Sequence, residues 1–213
     1  MNVIVLAPHP DDEAIGCGGT IRLHADRGDR VSVIFLTSGE LGLDQLPVPE
    51  ACRIRESEAA AASEILGVSS ITFLRRSDWS LGHEIELASA HHAPLLRSES
   101  PELIYLPHPN EWHPDHRASL PIAEAALRAA GMASIELRGY EVWTPLGVHD
   151  EVEDISGTMA AKLRAVRSYR SQLAAFRYDR AIRGLGAYRG ALAAKCQYAE
   201  VFCALEPSPA ADK

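Results

Sequence analysis

The stretch VIVLAPHPDDEAIGCGG, from Val3 to Gly19, places a His-Pro-Asp-Asp-Glu run directly after a short apolar segment. The apolar part is rich in β-branched residues and does not alternate with polar ones, which is typical of a strand buried on both faces. A second stretch, PNEWHPDH, ends at His116 and repeats the His-Pro-Asp pattern after another apolar run. The two stretches therefore call for a common explanation.

Strand-like and helix-like segments alternate along the 213 residues, without internal repeats or a linker. This alternation predicts a single-domain α/β protein, Rossmann-like, with a mostly parallel sheet and helices on both faces. We assign residues 1–205 to the domain and expect the tail 206–213 to be disordered. Pro94 predicts a kink or break in one helix, and residues 156–176 predict a long helix that contains a break. In such sheets ligands bind beyond the carboxyl ends of the strands, where both His-Pro-Asp runs fall.

Composition and charge exclude several functional classes. The formal charge of −8 does not favour nonspecific binding to nucleic acid. No window is long enough to span a bilayer, and the N-terminus lacks the basic start of a signal peptide, so we expect a cytoplasmic protein without membrane insertion. The four cysteines form no CxxC pair, which argues against a thiolate zinc site. A homo-oligomer is left open.

A divalent metal ion would explain why both runs are acidic and rich in histidine. His9 and Asp12 are three residues apart across a turn that Pro10 stiffens, so an imidazole and a carboxylate can converge on one ion. Asp11 would project elsewhere and stay unligated near that ion. One nitrogen from His113 or His116 would complete a set of two histidines and one carboxylate, which leaves a water position open as in catalytic zinc sites.

Each of these residues also has a structural alternative. A histidine after a strand is often a hydrogen-bonded structural group, and Asp11, Asp12 or Asp115 could cap the helix that follows it. Taken together these alternatives weaken, because unpaired carboxylates are costly where buried strands end. The glycines at Gly16–Thr20 lack the spacing of a dinucleotide-binding loop, and we expect them to allow close packing of a helix. The chain has no G-x-S-x-G elbow of a serine hydrolase.

Several motifs in chain order resemble one family. PHPDDE after the first strand, TSGE after the second, RESEAAAASEILGV, HPDH, KLRAVRSYRSQ and YAEVF are similar to the zinc-dependent N-deacetylases named for LmbE and PIG-L. The resemblance covers nearly the whole chain, and the pair of His-Pro-Asp motifs is its most specific part. It implies an enzyme that removes an acetyl group from an N-acetylated amino sugar of the N-acetylglucosaminyl type or from its conjugate.

The resemblance also implies roles for individual residues. His9, Asp12 and His116 would be the ligands of Zn²⁺, or of Fe²⁺ or Co²⁺, which the same donors accept. Asp11 would be the general base. His113, as an imidazolium, would stabilise the oxyanion or protonate the leaving group, and Asp115 would orient it.

Other positions are tied less directly to the family pattern. Arg55 and Asp78 resemble substrate-contacting positions, although Arg55 could equally pair with Glu58 on a solvated helix face. Glu111 stands where some members of the family carry a tyrosine, with Trp112 next to it. Three tryptophans, Trp79, Trp112 and Trp143, could stack on a sugar ring or equally belong to the core. The loop from Leu41 to Glu50 is expected to form the rim of the site.

Three other functions compete with sugar deacetylation. A zinc amidase could cleave a different amide of a sugar or thiol conjugate with the same residues. A non-catalytic sugar or nucleotide binder is disfavoured because all of the catalytic residue types are present. A two-metal phosphoesterase would need more carboxylates, and the acidic charge opposes phosphate capture.

Overall fold

The computed structural model describes residues 1–132 and 135–206. Seven strands form one sheet: β1 (Asn2–Ala7), β2 (Arg30–Thr37), β3 (Ser70–Arg76), β4 (Leu103–Pro107), β5 (Glu136–Tyr140), β6 (Glu151–Asp154) and β7 (Ala199–Leu205). Within the described residues, seven α-helices accompany it: α1 (Asp12–Asp26), α2 (Val48–Leu66), α3 (Ile85–Glu99), α4 (Pro114–Ala130), α5 (Met159–Val166), α6 (Arg170–Leu173) and α7 (Tyr178–Arg189). Apart from Glu206, the tail that we expect to be disordered lies outside the described residues.

The sheet has the strand order β3-β2-β1-β4-β5-β7-β6, and its first five strands are parallel. The chain runs outward from β1 through β2 to β3 and then returns to add β4 on the other side of β1. Such a reversal opens a crevice at the carboxyl ends of the two central strands. The two His-Pro-Asp runs follow β1 and β4, so the topology places both at this crevice.

The core lies on both faces of the sheet, as the uninterrupted apolar character of β1 predicts. Val3, Val5 and Ala7 pack on one face with α1, α2 and α5. Ile4 and Leu6 pack on the other face with α3 and α4. The predicted α/β fold with a mostly parallel sheet and helices on both faces is confirmed. Among the described residues, none of the helices combines the length and apolar character that a bilayer crossing requires.

The C-terminal third differs most from the sequence-based prediction. The helix predicted over 156–176 is interrupted, as predicted, and forms two helices, α5 and α6, with a turn between them. Strand β6 and helix α7 were not predicted, and β7 is antiparallel to both of its neighbours. Helix α7 is rich in arginine and glycine, so its buried positions, which include Tyr178, Ile182 and Gly186, give only a thin apolar stripe. Helix α3 continues through Pro94, so of the predicted kink or break the break is wrong.

Close packing of α1 accounts for its glycines, as the sequence predicts. A Cβ at Gly16 would lie 2.2 Å from the ring of Tyr140, and one at Gly19 would lie 2.7 Å from Ile155. Tyr140 is fully buried and donates a 2.9 Å hydrogen bond to the carbonyl of Leu6, so its ring cannot move away without losing that bond.

We expect Gly16→Ala to lower the free energy of unfolding by about 1–3 kcal/mol, because overpacking against a fixed ring outweighs the better helix propensity of alanine. Gly184 is exposed on α7, and nothing lies within 4 Å of a Cβ added there. Gly184→Ala should therefore leave the free energy of unfolding unchanged or raise it by up to about 1 kcal/mol. Urea unfolding of both variants measures the difference. Equal stability of the two variants would contradict the packing argument.

Candidate functional site

The two His-Pro-Asp runs meet at the crevice between β1 and β4. The first forms the turn from β1 into α1, and the second leads into α4, with Pro114 in the first turn of that helix. His9, Asp12 and His116 are all buried. Asp11 precedes α1 but makes no capping hydrogen bond through its side chain, so the capping alternative for this residue is wrong.

One oxygen of Asp12 joins the two runs. Its Oδ2 lies 3.2 Å from Nδ1 of His9 and 3.2 Å from Nε2 of His116. The same oxygen accepts a 2.9 Å hydrogen bond from the backbone amide of His9, which fixes the turn. The structure thus brings together the three residues for which the sequence predicts metal binding.

The second ring nitrogen of His9 faces two further carboxylates. Nε2 lies 3.0 Å from Oδ1 of Asp78 and 3.3 Å from Oδ2 of Asp115. The other oxygen of Asp78 accepts a hydrogen bond from the amide of Leu41, at the rim segment. Asp78 therefore belongs to the centre of the site, in contact with His9.

Asp11 has a strained backbone and a cationic neighbour. Its φ of 117° is rare for a residue with a side chain and costs on the order of 1–3 kcal/mol. Its Oδ2 lies 3.4 Å from Nη1 of Arg55, and Nη2 of Arg55 donates a 2.7 Å hydrogen bond to the carbonyl of Pro10. Arg55 is buried and Glu58 instead accepts hydrogen bonds from Ser171, so the solvated Arg55–Glu58 pair is wrong.

Asp115 contacts His113 differently from the predicted arrangement. The backbone amide of Asp115 donates a 3.2 Å hydrogen bond to Nδ1 of His113, whereas its carboxylate turns away. That carboxylate accepts hydrogen bonds from the amides of Trp79 at 2.7 Å and Leu81 at 3.1 Å. Asp115 lies in the first turn of α4, which begins just after His113. Its backbone amide orients the His113 ring, and its side chain holds the loop after β3.

Glu111, which the sequence singles out without predicting its contacts, is buried. Its Oε1 accepts hydrogen bonds from the amides of Val142, Trp143 and Thr144, at 2.8, 3.0 and 3.2 Å. Its Oε2 has no hydrogen bond and lies 3.7 Å from Nδ1 of His116. These partners follow β5, too far along the sequence for a local pattern to reveal them.

The electrostatics of the centre follow from burial and from the close carboxylates. Burial raises the pKa of Asp11 to about 7, against the opposing effect of Arg55. Burial alone would raise the pKa of Asp12, but the charge and hydrogen bonding of His116 and His9 hold it below its usual value. Burial opposes protonation of His116, yet Asp12 and Glu111 raise its pKa to about 9. The carboxylates therefore draw positive charge to this centre.

His113 responds in the opposite way. Burial, together with the neighbouring imidazoles of His9 and His116, lowers its pKa to about 4. This favours a neutral ring instead of the imidazolium that the family resemblance implies. Because Nδ1 accepts the amide hydrogen of Asp115, the neutral ring carries its hydrogen on Nε2.

A divalent cation fits the donors present. Both ring nitrogens of His116 are buried and face carboxylates, at 3.2 Å from Asp12 and 3.7 Å from Glu111, but neither makes a hydrogen bond of good geometry. Within the described residues, donor atoms come within 4.8 Å of one another in the group His9, His113 and His116 and in the group His9, Asp78 and Asp115. His9 is common to these groups and to the predicted set with Asp12 and His116. The residues could thus hold a metal ion, without choosing between metals.

A cavity of about 320 Å³ opens onto these residues. Its polar wall includes His9, Asp11, Asp12, Arg55, Asp78 and His113, and its outer wall includes Trp79, Trp112, Trp143, Phe176 and Tyr178. Leu41 and Gly42 of the predicted rim segment also line it. The three tryptophans named from the sequence therefore lie at the site and not in the core.

Comparison with known proteins agrees with this geometry. Residues 4–127 match the family model PIG-L, described as GlcNAc-PI de-N-acetylase. The chain is 33% identical over 186 residues to a diacetylchitobiose deacetylase of Thermococcus kodakarensis, covering 80% of this chain and 69% of that protein. It is 31% identical over 193 residues to a probable N-acetyl-α-D-glucosaminyl L-malate deacetylase 2 of Bacillus cereus, covering 84% of this chain and 86% of that protein.

The fold is also similar to that of a solved structure. The conserved protein TT1542 from Thermus thermophilus superposes with a TM-score of 0.85 at 30% identity, covering 99% of this chain and 97% of the other. The family match spans β1 to α4, and so includes both His-Pro-Asp runs. This chain belongs to the PIG-L family of de-N-acetylases.

Proposed function

We propose that this protein is a metal-dependent hydrolase that removes the acetyl group from an N-acetylated amino sugar of the N-acetylglucosaminyl type or from its conjugate. The observation that carries the proposal is the convergence of His9, Asp12 and His116, with Asp11 and His113 facing the same cavity. The similar proteins from Thermococcus kodakarensis and Bacillus cereus bear names of deacetylases that act on such sugars. Cytoplasmic location and a homo-oligomeric state stay predictions.

His9, Asp12 and His116 are the proposed metal ligands, with zinc as the expected ion. Asp12 is preferred to His113 because its Oδ2 is 3.2 Å from a nitrogen of each of the other two, and because a dication gains most from an anionic donor. Nδ1 of His113, in contrast, accepts the amide hydrogen of Asp115, so Nε2 carries a hydrogen and has no free lone pair for a metal ion. When bound, a divalent ion of this kind lowers the pKa of a water molecule to about 7 and polarises a carbonyl.

The chemistry assigned to the protein's own residues is proton transfer and stabilisation of negative charge. Asp11 lines the cavity and is the proposed general base, taking a proton from the attacking water. Arg55 holds this carboxylate in place at 3.4 Å and contributes to the cavity wall. His113 offers the N–H of Nε2 to the oxygen of the acetyl group as negative charge develops there. Proton delivery to the sugar nitrogen would then come from the protonated Asp11, since the neutral ring of His113 has no proton to give up.

Arg55 and Asp78 are proposed to contact the substrate, and each also holds a neighbouring residue of the site. Both line the cavity, but Arg55 also holds Asp11, and Asp78 holds His9. A sugar hydroxyl could approach either group only on the side that faces the cavity. Each is therefore proposed to combine substrate contact with positioning of a neighbouring catalytic or ligand residue.

The first test is a screen of N-acetylated sugars for release of free amine and acetate, with and without a chelator. We expect chelator-sensitive release of acetate from N-acetylglucosaminyl compounds. Parallel substrates with larger N-acyl groups separate deacetylation from the rival amidase activity. Absence of amine release from every substrate, with metal added, would argue against an enzyme of this class.

Loss of the proposed base should reduce turnover without loss of metal. We expect Asp11→Asn to lower kcat by about 10²–10⁴-fold, the usual contribution of a general acid or base. Steady-state rates and metal analysis on the same preparation provide the measurement, and Asp26→Asn on the exposed end of α1 is the matched control. A metal-loaded Asp11→Asn enzyme that worked at the wild-type rate would overturn the assignment.

Loss of a proposed ligand should remove the metal. We expect Asp12→Ala and His116→Ala to purify with little bound metal and to show no activity at metal concentrations that saturate the wild-type enzyme. His91→Ala, which changes an exposed histidine on α3, should retain the wild-type content. Elemental analysis decides the matter, and full metal content in His116→Ala would assign that ligand position to another residue.

Glu111 should influence metal affinity through His116. In Glu111→Gln the amide oxygen can still accept the three backbone hydrogen bonds, but the negative charge that faces Nδ1 of His116 is lost. We expect metal affinity to fall about 10–100-fold, which is typical when the outer partner of a metal-binding histidine is changed. Competition with a chelator measures it, with Glu64→Gln on the exposed face of α2 as the control. An unchanged affinity would leave Glu111 only its role in holding 142–144.

A further inference from the structure

Five aromatic side chains form a continuous wall that leads outward from His113. We name this wall the aromatic rim; it consists of Trp79, Trp112, Trp143, Phe176 and Tyr178. The ring of Trp79 lies 4.4 Å from that of His113 and 6.3 Å from that of Trp112. Trp143 continues the series at 6.3 Å from Trp112, and it lies 5.2 Å from Tyr178. The rim therefore extends well beyond the space that one acetamido group needs.

Much of this aromatic surface is exposed to solvent. Trp79, Trp112 and Phe176 are 51, 53 and 57% exposed, although each could bury a large apolar area. Contiguous exposed apolar surface beside a cavity marks a binding site more often than chance. Its continuity with His113 indicates that the molecule bound there is the one whose acetyl group is hydrolysed.

The rim is held in place from the buried side. Trp79 has a φ of 65°, in the left-handed region that a residue with a side chain seldom adopts. Its amide donates a 2.7 Å hydrogen bond to the carboxylate of Asp115, which stabilises this conformation. The amide of Trp143 donates in the same way to Glu111, at 3.0 Å. Two buried carboxylates thus fix the backbone at both ends of the tryptophan series.

The charges around the rim argue against an anionic ligand. Among the described residues that line the cavity, Arg55 is the only lysine or arginine, and its guanidinium faces Asp11 and donates to the carbonyl of Pro10. Arg177, next in the chain to Phe176, is turned to Asp179. The same cavity contains carboxylates, and the chain as a whole carries a formal charge of −8. Along the aromatic rim itself, the described lining residues offer no lysine or arginine to a carboxylate or phosphate on the leaving part of the substrate.

We propose that the substrate is an N-acetylglucosaminide whose aglycone is neutral and carries a planar or apolar ring, and that the aromatic rim binds this ring. The inference rests on the proposed deacetylase function and adds the substrate class to it. Stacking on one aromatic side chain contributes about 0.5–1.5 kcal/mol, which corresponds to about 2- to 12-fold in binding. Contact with two rings of the rim would therefore distinguish a ring-bearing glycoside clearly from the free sugar.

The test compares three substrates on the metal-loaded enzyme: N-acetylglucosamine, phenyl N-acetylglucosaminide and 4-carboxyphenyl N-acetylglucosaminide, with both anomers of each glycoside. We expect kcat/KM for the phenyl glycoside to exceed that for the free sugar by about tenfold or more, mainly through a lower KM. The added carboxylate should remove most of this advantage, because the rim has no lysine or arginine to pair with it. The comparison isolates this effect, since the ring is the same in both glycosides and only the charge differs.

Variants then locate the preference. Trp143→Ala and Phe176→Ala should each lower the ratio of kcat/KM between the phenyl glycoside and the free sugar by about 2- to 12-fold, the contribution of one stacking side chain. Tyr188→Ala, an exposed aromatic residue of α7 outside the cavity, should keep the wild-type ratio. Phe176 is more exposed than Trp143, so its variant keeps the test valid if Trp143→Ala folds poorly.

Different failures have different meanings. Equal kcat/KM for free sugar and phenyl glycoside, or an unchanged ratio in both rim variants, would overturn the inference while leaving the deacetylase function intact. A change of oligomeric state in Phe176→Ala without a change in the ratio would identify the rim as a contact between two copies. No amine from any of the three substrates would instead contradict the proposed function itself.

Discussion

The position of a single carboxylate, that of Asp12, is the constraint on which the rest of the site depends. Its Oδ2 faces His9 on one side and His116 on the other, each at 3.2 Å, within a buried crevice. A buried charge without partners would cost several kcal/mol, so this carboxylate and the two imidazoles stabilise each other's burial. The arrangement requires β1 and β4 to be neighbours, which the reversal of strand order provides.

Buried carboxylates also hold the surrounding loops, and they do so through backbone amides. Asp115 binds the amides of Trp79 and Leu81, while Glu111 binds those of Val142, Trp143 and Thr144. Almost any residue can offer a backbone amide, so these hydrogen bonds fix the path of a loop and leave the residue types of its side chains free to vary. The residue types of the substrate wall can then change without moving the centre, whose side chains come from the turns that lead into α1 and α4 and from the first residues of those helices.

The sequence predicts the parts of this protein that depend on local pattern. The apolar run of β1, the turns at His9 and His113 and the close packing at Gly16 are each encoded within a few residues. Contacts between distant segments were not predictable in the same way: the Asp115 carboxylate turns to the loop after β3, and Glu111 reaches the loop after β5. Helix α7 was missed because arginine and glycine interrupt its thin apolar stripe.

The acidic centre and the aromatic rim have opposite characters, and their contact at His113 has a physical consequence. In water, the attraction between a hydrogen-bond donor and developing negative charge is weak, because the solvent screens it. Trp79 lies 4.4 Å from the ring of His113, so a substrate that covers Trp79 also removes water from that ring. Removal of water strengthens every electrostatic interaction inside the cavity. Binding by the rim would thus favour the chemical step as well as recognition, because the ring that anchors the substrate also closes the site in which charge develops.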